Sequence, residues 1–157
     1  MIDEISLKIL KILQKKARIP NVEVARQIKM APSAVLERIR KLEKQGFIEG
    51  YEVRLNPSSF KRQQIAFVTI TTEPHADIST VGKTIARLSE VQEVHHIAGQ
   101  DGLLVKVRVA DTEALGRLIQ QTLNPIPHVK ATRTAIVMAT FKETARIPID
   151  RFDSASE

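Results

Sequence analysis

The spacing of the apolar residues changes once along this chain of 157 residues, and that change limits the folds open to it. Up to Gly46 the apolar positions recur every three or four residues, as on one face of a helix. After Gly46, alternating and continuous runs of β-branched residues are typical of strands. The chain therefore predicts a helical region followed by a mixed region that contains a sheet, an α+β protein.

Three amphipathic segments occupy the first region. Asp3 is placed to cap the first helix, and Asn21 to cap a short second one. Pro32 suits the first turn of a third helix, which Gly46 ends. Three helices of about 13, 8 and 14 residues joined by tight turns are typical of a helix-turn-helix, whose third helix enters the major groove of DNA.

The outward side of the third helix carries a hydroxyl, an apolar group for a thymine methyl, and several cations, which suit groove reading and phosphate contact. The residues that we predict to contact DNA are Pro32, Ser33, Leu36, Glu37, Arg38, Arg40, Lys41 and Lys44. From the pattern alone, the alternative is a small helical bundle with a solvated charged face.

The positive charge of the chain is confined to this first region. Residues 1–62 hold 14 Lys and Arg against 7 Asp and Glu, whereas residues 63–157 hold 10 against 11. This asymmetry indicates a polyanion-binding module attached to a neutral one, and the alternative is a well-solvated basic surface.

A short strand and a break follow the helices. Tyr51, Val53 and Leu55 alternate with charged residues and predict a strand, which Asn56-Pro57 ends. The polar run up to residue 64 marks a domain boundary. We therefore expect a first domain of residues 1–62, a second of residues 63–143 and a tail of residues 144–157.

The second domain predicts the order strand, helix, strand, strand, helix, strand, which gives a ferredoxin-like sandwich of one sheet and two helices. The helices cover one sheet face, yet the first and last strands carry apolar residues on both faces, with Phe67 on the second face. We therefore expect a homodimer that buries this face. The predicted strands are 65–72, 91–98, 103–110 and 129–141, and the predicted helices are 78–88 and 112–122.

Several classes of protein are disfavoured by composition. Cysteine is absent, which excludes disulfides, thiolate zinc sites and cysteine nucleophiles. The acidic residues before the first apolar run differ from the basic opening of a signal peptide, so we expect a cytoplasmic protein. The uncharged run 134–141 is far shorter than the roughly 20 residues that span a bilayer, so we expect no membrane partner.

Three segments, DEISLKILKILQ, NVEVARQIKMAPSAVLERIRKLEKQGFIEGYEVRLNP and GQDGLLVKV, carry a resemblance to a known family. From residue 2 to about residue 143 the chain resembles the Lrp/AsnC family, also called feast/famine regulators, with Arg38, Leu42 and Gly46 among the residues in register. The resemblance implies a transcription regulator that binds double-stranded DNA and responds to an amino acid. It also implies dimers that assemble further, to an octamer, with the effector between dimers.

The resemblance places the effector contacts on one turn, with the closing strand nearby. The predicted effector-binding residues are Gly99, Gln100, Asp101, Gly102, Thr132 and Thr134. The family pattern at this turn is Gly, any residue, an aromatic residue, Asp, so the acid here stands one position early and the aromatic residue is missing. A four-residue hairpin rich in Gly and Asp also forms without a ligand. Two further departures are Ala31, where the family has Ser, and Lys61, where a Gly is common.

Two other functions stay open at this stage. One is an architectural DNA-binding protein without an effector, and the other is a decarboxylase-type enzyme, because some haem-biosynthesis decarboxylases look similar to this family. His95 and His96 point to opposite faces of a strand and cannot share one metal without a bulge, and His75 and His128 lie apart from them in sequence. No metalloprotease or nucleophile motif occurs. We therefore expect no catalytic residues, metal or cofactor.

Overall fold

The structure is a computed structural model that describes residues 2–99 and 102–149, and the chain forms two compact units. Of the described residues, the first unit contains those up to Arg54 together with residues 143–149, and the second unit runs from Leu55 to Lys142. The sequence places the corresponding boundaries after residues 62 and 143. The first unit is therefore discontinuous in sequence, because residues 143–149 return to it.

Helices α1 (Glu4–Lys15), α2 (Asn21–Ile28) and α3 (Pro32–Lys44) form the first unit as predicted. The apolar positions of the three helices meet in one buried cluster. Its members are Ile9, Leu13, Val24, Ala25, Val35, Ile39 and Leu42.

The ends of these helices test the predicted caps. Asp3 caps α1 by accepting a hydrogen bond from the Ser6 amide at 2.8 Å, which confirms the prediction. The predicted Asn21 cap is wrong, because Asn21 is already the first residue of α2. Pro20 takes the capping position instead, since its extended backbone lets its carbonyl accept from the amides of Glu23 and Val24.

Gly46 ends α3 as predicted. Its φ of +76° lies in the left-handed region, which glycine enters without steric cost. The Phe47 amide donates to the Leu42 carbonyl and the Gly46 amide donates to the Glu43 carbonyl, which is the Schellman pattern.

The predicted strand at Tyr51–Leu55 is not formed. These residues follow α3 without regular structure, and no strand pairs with them within the described ranges. The alternating side chains are largely exposed, with Val53 at 83% and Leu55 at 60%. The alternation is present, but a strand also needs a neighbouring ladder partner.

In the second unit, the described residues form one antiparallel sheet with the strand order β2-β3-β1-β4. With two helical segments on one face, this is the predicted ferredoxin-like arrangement. The elements in chain order are β1 (Gln64–Thr72), α4 (Ile78–Ile85), β2 (Val91–His96), β3 (Leu103–Val109), α5 (Thr112–Arg117) and β4 (Val129–Ile136).

The two sheet faces differ in burial. Val68 and Ile70 of β1 are fully buried against residues of both helices, such as Ile85 and Leu115. Phe67 points to the other face, where it lies between Lys106 of β3 and Ala135 of β4 and is 36% exposed. The core of this unit therefore lies between the helices and one face of the sheet.

Several predicted elements have different ends in the structure. The helix predicted over 78–88 ends at Ile85, and the strand predicted over 91–98 ends at His96. The closing strand stops at Ile136 rather than at residue 141. The Val137 amide still donates to the Ile65 carbonyl, but β1 begins at Gln64, so residues 139–141 lie beyond its start and have no partner on it. The helix predicted over 112–122 changes after Arg117 to a π-helical turn, Leu118–Leu123. The wider turn leaves Leu118 and Leu123, five residues apart, both buried in the same core.

The backbone conformation at Lys61 is one that glycine adopts most easily, which explains why a glycine is common at this position in the family. It ends a 3-10 turn, Pro57–Phe60, with a φ of 51° and a ψ of 45°, the left-handed conformation. Lys29, in the turn between α2 and α3, has the same conformation with a φ of 57°. Both lysines occupy backbone positions that favour glycine. No helix in the described part of the chain is long and apolar enough to cross a membrane.

Candidate DNA-binding and effector-binding sites

Helix α3 separates its buried residues from its charged ones. Val35, Ile39 and Leu42 point into the core of the first unit, and Leu36 is half-buried beside them. The other predicted DNA contacts on its outward side are exposed. These residues are Pro32, Ser33, Glu37, Arg40, Lys41 and Lys44. This face therefore presents three cations and one acid to the surroundings.

The start of α3 lacks a side-chain cap within the described residues. Ala31 occupies the N-cap position and Pro32 the first helical position, as the sequence predicts. The Ala31 carbonyl accepts from the Val35 amide, but the first-turn amides receive no side-chain oxygen. The positive end of the helix dipole therefore adds to the cations on the same helix.

Arg38 has a different environment from the other cations of α3. Its Nη1 lies 2.6 Å from Asp3 Oδ2 and 3.3 Å from Ser6 Oγ, so it joins α3 to the start of α1. Hydrogen bonds from Ser6, and then from Arg38, lower the pKa of Asp3 to about 2. The structure thus gives Arg38 a partner within the protein, while its predicted contact with DNA stays a prediction.

Tyr51 fixes the chain that follows α3. Its hydroxyl donates to Glu43 Oε1 at 2.9 Å. Burial, and then the neighbouring carboxylate of Glu43, raise the pKa of Tyr51 to about 12. The hydroxyl therefore stays protonated and keeps this bond throughout the neutral range.

The predicted effector turn lies between β2 and β3. Gly99 and Gly102 have φ angles of +127° and +83°, which suit glycine alone. A Cβ at Gly102 would stand 3.3 Å from the Ile70 carbonyl oxygen, so the turn packs closely against the end of β1. Gln100 and Asp101 lie outside the described residues.

Thr132 and Thr134 lie on β4 and face the helix-covered side of the sheet. Thr132 is paired with Ile70 of β1, which in turn is paired with Leu103, next to Gly102. Since neighbouring strands are about 4.8 Å apart, Thr132 and the turn are about 10 Å apart at the same end of the sheet. Thr132 donates to Asn124 Oδ1 at 3.0 Å, and Thr134 lies two residues farther from the turn.

A groove between α4 and the edge strand β2 was missed by the sequence analysis. It is open, has a volume of about 660 Å³ and is lined by Asp77, Lys83 and His96 around Gly82. Its polar residues come from α4 with its N-cap and from β2, so no local sequence pattern reveals it.

The histidines are dispersed. His95 and His96 pair with Leu104 and Leu103, so successive side chains point to opposite faces as predicted. His128 Nδ1 lies 3.1 Å from Glu73 Oε2 in a separate loop. Over residues 2–99 and 102–149, no group of three or more His, Asp or Glu is placed to hold a metal ion.

Two family descriptions match this chain. Residues 2–49 match a winged helix-turn-helix DNA-binding domain. Residues 65–147 match the Lrp/AsnC ligand-binding domain, which is more than half of the chain. The chain belongs to the Lrp/AsnC family. It is a DNA-binding transcription regulator that is modulated by an effector.

Relatives of this regulator match nearly all of its length. The leucine-responsive regulatory protein of Escherichia coli is 39% identical over 150 residues, which cover 94% of this chain and 92% of the relative. A feast or famine regulatory protein of Mycobacterium tuberculosis, solved with L-methionine, is 30% identical, with a TM-score of 0.88 over 96% of this chain and all of the other. A Neisseria meningitidis regulator, also solved with L-methionine, has the same fold, with a TM-score of 0.90 and 24% identity over 96% of this chain and 98% of its own.

Proposed function

We propose that the regulator binds operator DNA through α3 and senses an amino acid through the sheet end that holds Gly102 and Thr132. Residues 1–62 supply the DNA-binding part, and residues 63–143 supply sensing and assembly. The observation that carries the DNA-binding part is the outward face of α3. Arg40, Lys41 and Lys44 are exposed there and form no ion pair within the described residues, so their charge is available for phosphates. Because the partner is DNA, we infer a cytoplasmic location.

An amino acid is the effector class that fits the predicted turn. Its carboxylate needs donors, and backbone amides beside Gly99 and Gly102 can approach a ligand closely. Its ammonium needs a carboxylate, which Asp101 offers, and Gln100 can both donate and accept. The relative solved with L-methionine at 30% identity makes L-methionine the first ligand to test.

The geometry of the described residues supports a site at this sheet end. Gly102, directly before β3, and Thr132, on β4, lie on either side of Ile70. The glycine lets the turn pack closely against β1, and the threonine provides a hydroxyl that can accept a hydrogen bond. We propose Thr132 as a ligand contact and Thr134 as a weaker one, because it lies farther along β4.

The experiment that tests this site is a thermal-shift screen of the full chain against the twenty amino acids, followed by DNA titrations. L-Methionine should raise Tm by binding the folded state and should change DNA affinity by about 5- to 150-fold. Asp101→Ala should abolish both responses and keep the basal DNA affinity. Lys83→Ala, in the groove between α4 and β2, is the matched control and should keep both.

The opposite pattern of responses would assign the effector to a different part of the second unit. Loss of the response in Lys83→Ala with retention in Asp101→Ala would assign the effector to the groove beside α4. No response to any amino acid in the wild-type chain would contradict the sensor and favour the architectural DNA-binding function.

We further propose that the regulator is a homodimer through the outer face of its sheet, and that dimers assemble further, to an octamer. Phe67 is partly exposed at the centre of this face beside Ala135. The Lys106 ammonium and the Glu93 carboxylate are 3.0 Å apart on the same face, so part of its charge is already paired. Such a face suits another copy of itself better than water. A stable, monodisperse monomer in sedimentation at micromolar concentration would contradict the dimer.

We also infer that the protein has no enzymatic activity, since its relatives are regulators. The decarboxylase alternative predicts a bound tetrapyrrole. The absorbance spectrum of the purified protein tests this directly, and a tetrapyrrole band would favour the enzyme.

A further inference from the structure

Residues 143–149 return to the DNA-binding unit, and one glutamine side chain holds them there. Gln14 of α1 bonds both backbone groups of Ile147, donating from Nε2 to the carbonyl at 3.1 Å and accepting at Oε1 from the amide at 2.9 Å. The neighbouring Arg146 donates from Nη2 to the Lys15 carbonyl at 3.4 Å. These contacts join the segment from Glu143 to Ile149, here called the strap, to the first unit.

The chemistry of this contact is more specific than that of a surface ion pair. A glutamine amide has donors and an acceptor, so it can satisfy the N–H and the C=O of one extended residue at once. The Lys15 carbonyl belongs to the last turn of α1, where carbonyls have no partner inside the helix and a cationic donor is favourable. Arg146 thus satisfies a helix end while Gln14 fixes the register of the strap.

The position of the strap in the chain connects it to the second domain. Strand β4 ends at Ile136, and the six residues 137–142 connect it to the strap. The proposed effector contact Thr132 is on β4. Residues 137–142 therefore connect the strand that holds Thr132 to the residues that contact α1. The Asp3–Arg38 pair then joins α1 to α3.

We propose that residues 143–149 are a structural part of the DNA-binding unit, and that their dock on α1 transmits the state of β4 to α3. The transmission step rests on the proposed effector function, whereas the dock does not. The sequence predicts residues 144–157 as a tail, because Gln14 and Ile147 are 133 residues apart and neither belongs to a motif.

The experiment compares full-length wild type, Gln14→Ala and the control Gln27→Ala. Gln27 is a glutamine of α2 whose side chain bonds Glu23 within its own helix. Hydrogen exchange, resolved by mass spectrometry at the Ile147 amide, is read beside DNA affinity with and without L-methionine. In Gln14→Ala the Ile147 amide should exchange roughly tenfold faster, since two hydrogen bonds are lost. The effect of L-methionine on DNA affinity should fall several-fold, and Gln27→Ala should change neither.

Each other result overturns a part of the proposal. Unchanged exchange at Ile147 in Gln14→Ala would overturn the dock. Faster exchange with an intact L-methionine effect would overturn the transmission step. If no amino acid changes DNA affinity in the wild type, the proposed effector function has failed and the transmission step fails with it, while exchange at Ile147 still decides the dock.

Discussion

The exposed face of α3 and the outer face of the sheet carry opposite kinds of surface. On α3, Arg40, Lys41 and Lys44 are exposed and unpaired within the described residues. On the sheet, Lys106 is paired with Glu93, and an aromatic ring lies beside them. Charges that lack protein partners suit an external polyanion, whereas paired charges around apolar groups suit a copy of the same chain. The pairing of charges on a surface, more than their number, therefore indicates which kind of partner the surface binds.

The largest expected effect concerns the proposed dimer interface on the outer face of the sheet. Phe67→Asp places an unpaired carboxylate in the proposed dimer interface, where leaving a buried charge unpaired is strongly unfavourable. Sedimentation should show monomers or aggregates in place of dimers. Phe67→Leu keeps an apolar group and should remain dimeric. A Phe67→Asp chain that is still a dimer would mean that the interface lies elsewhere.

The second prediction tests whether the two units have separate cores. Ile9 and Ile85 are both fully buried, one in each cluster. Each change to Ala should lower the free energy of unfolding of its own unit by about 2–5 kcal/mol. Denaturation followed by hydrogen exchange should show that Ile9→Ala destabilises the helices and Ile85→Ala the sheet. Equal destabilisation of both units by either variant would show one cooperative fold.

The third prediction tests whether the exposed cations of α3 contact DNA phosphates. Arg40→Ala and Lys41→Ala should each weaken DNA binding and reduce the slope of log K against log[salt] by about 1, because each removes one phosphate contact. Binding titrations between about 50 and 200 mM salt measure this slope. Lys130→Ala, an exposed cation of the second unit, is the control. A slope that none of the variants changes would contradict phosphate contacts by α3.

A smaller effect concerns pH and the Asp3–Arg38 pair. The pKa of Asp3 is lowered from 3.8 to about 2, so its contribution is complete above about pH 5 and is lost as the pH falls towards 2. Asp3→Asn keeps a capping oxygen and removes the charge. The stability difference between wild type and Asp3→Asn should be constant above pH 5 and shrink below pH 4. Because the side chain is half exposed, we expect a difference of about 1 kcal/mol or less, measured by denaturant unfolding.

The smallest expected effect concerns the two left-handed lysines, one in each unit. Lys61→Gly and Lys29→Gly remove the steric cost of a Cβ in that conformation and add chain entropy to the unfolded state. The net gain should be up to about 1 kcal/mol in denaturant unfolding. Lys61→Ala keeps the Cβ and should show no gain, so a gain in that variant would point to the lysine charge instead of the backbone.

Much of the fold follows from short-range patterns. The helix cap at Asp3, the end at Gly46 and the strand at Gln64–Thr72 each depend on residues close in sequence, and each agrees with the structure. The elements that were wrong depend on distant residues. The strand predicted at Tyr51–Leu55 lacks a hydrogen-bonded neighbouring strand, and residues 139–141 of the predicted closing strand lie beyond the start of β1.

The candidate sites divide in the same way. The outward residues of α3 could be named from helical spacing, because one turn of helix decides which way a side chain points. The ion pair that holds Arg38 could not, because its partner is 35 residues earlier on another helix. The groove beside α4 needed both the helix and β2 in place before its lining residues came together.

A basic helix-turn-helix followed by a βαββαβ domain can be predicted from the amino-acid sequence, since periodicity, caps and charge distribution are local properties of the chain. Three other features require the folded chain: the cations without a partner in the described residues, the strand ends without a neighbouring strand, and the contact of residues 146 and 147 with α1. Each of these depends on atoms brought together from far along the chain. The contact between Gln14 and Ile147 is the clearest case, because neither residue carries a local signal of the other.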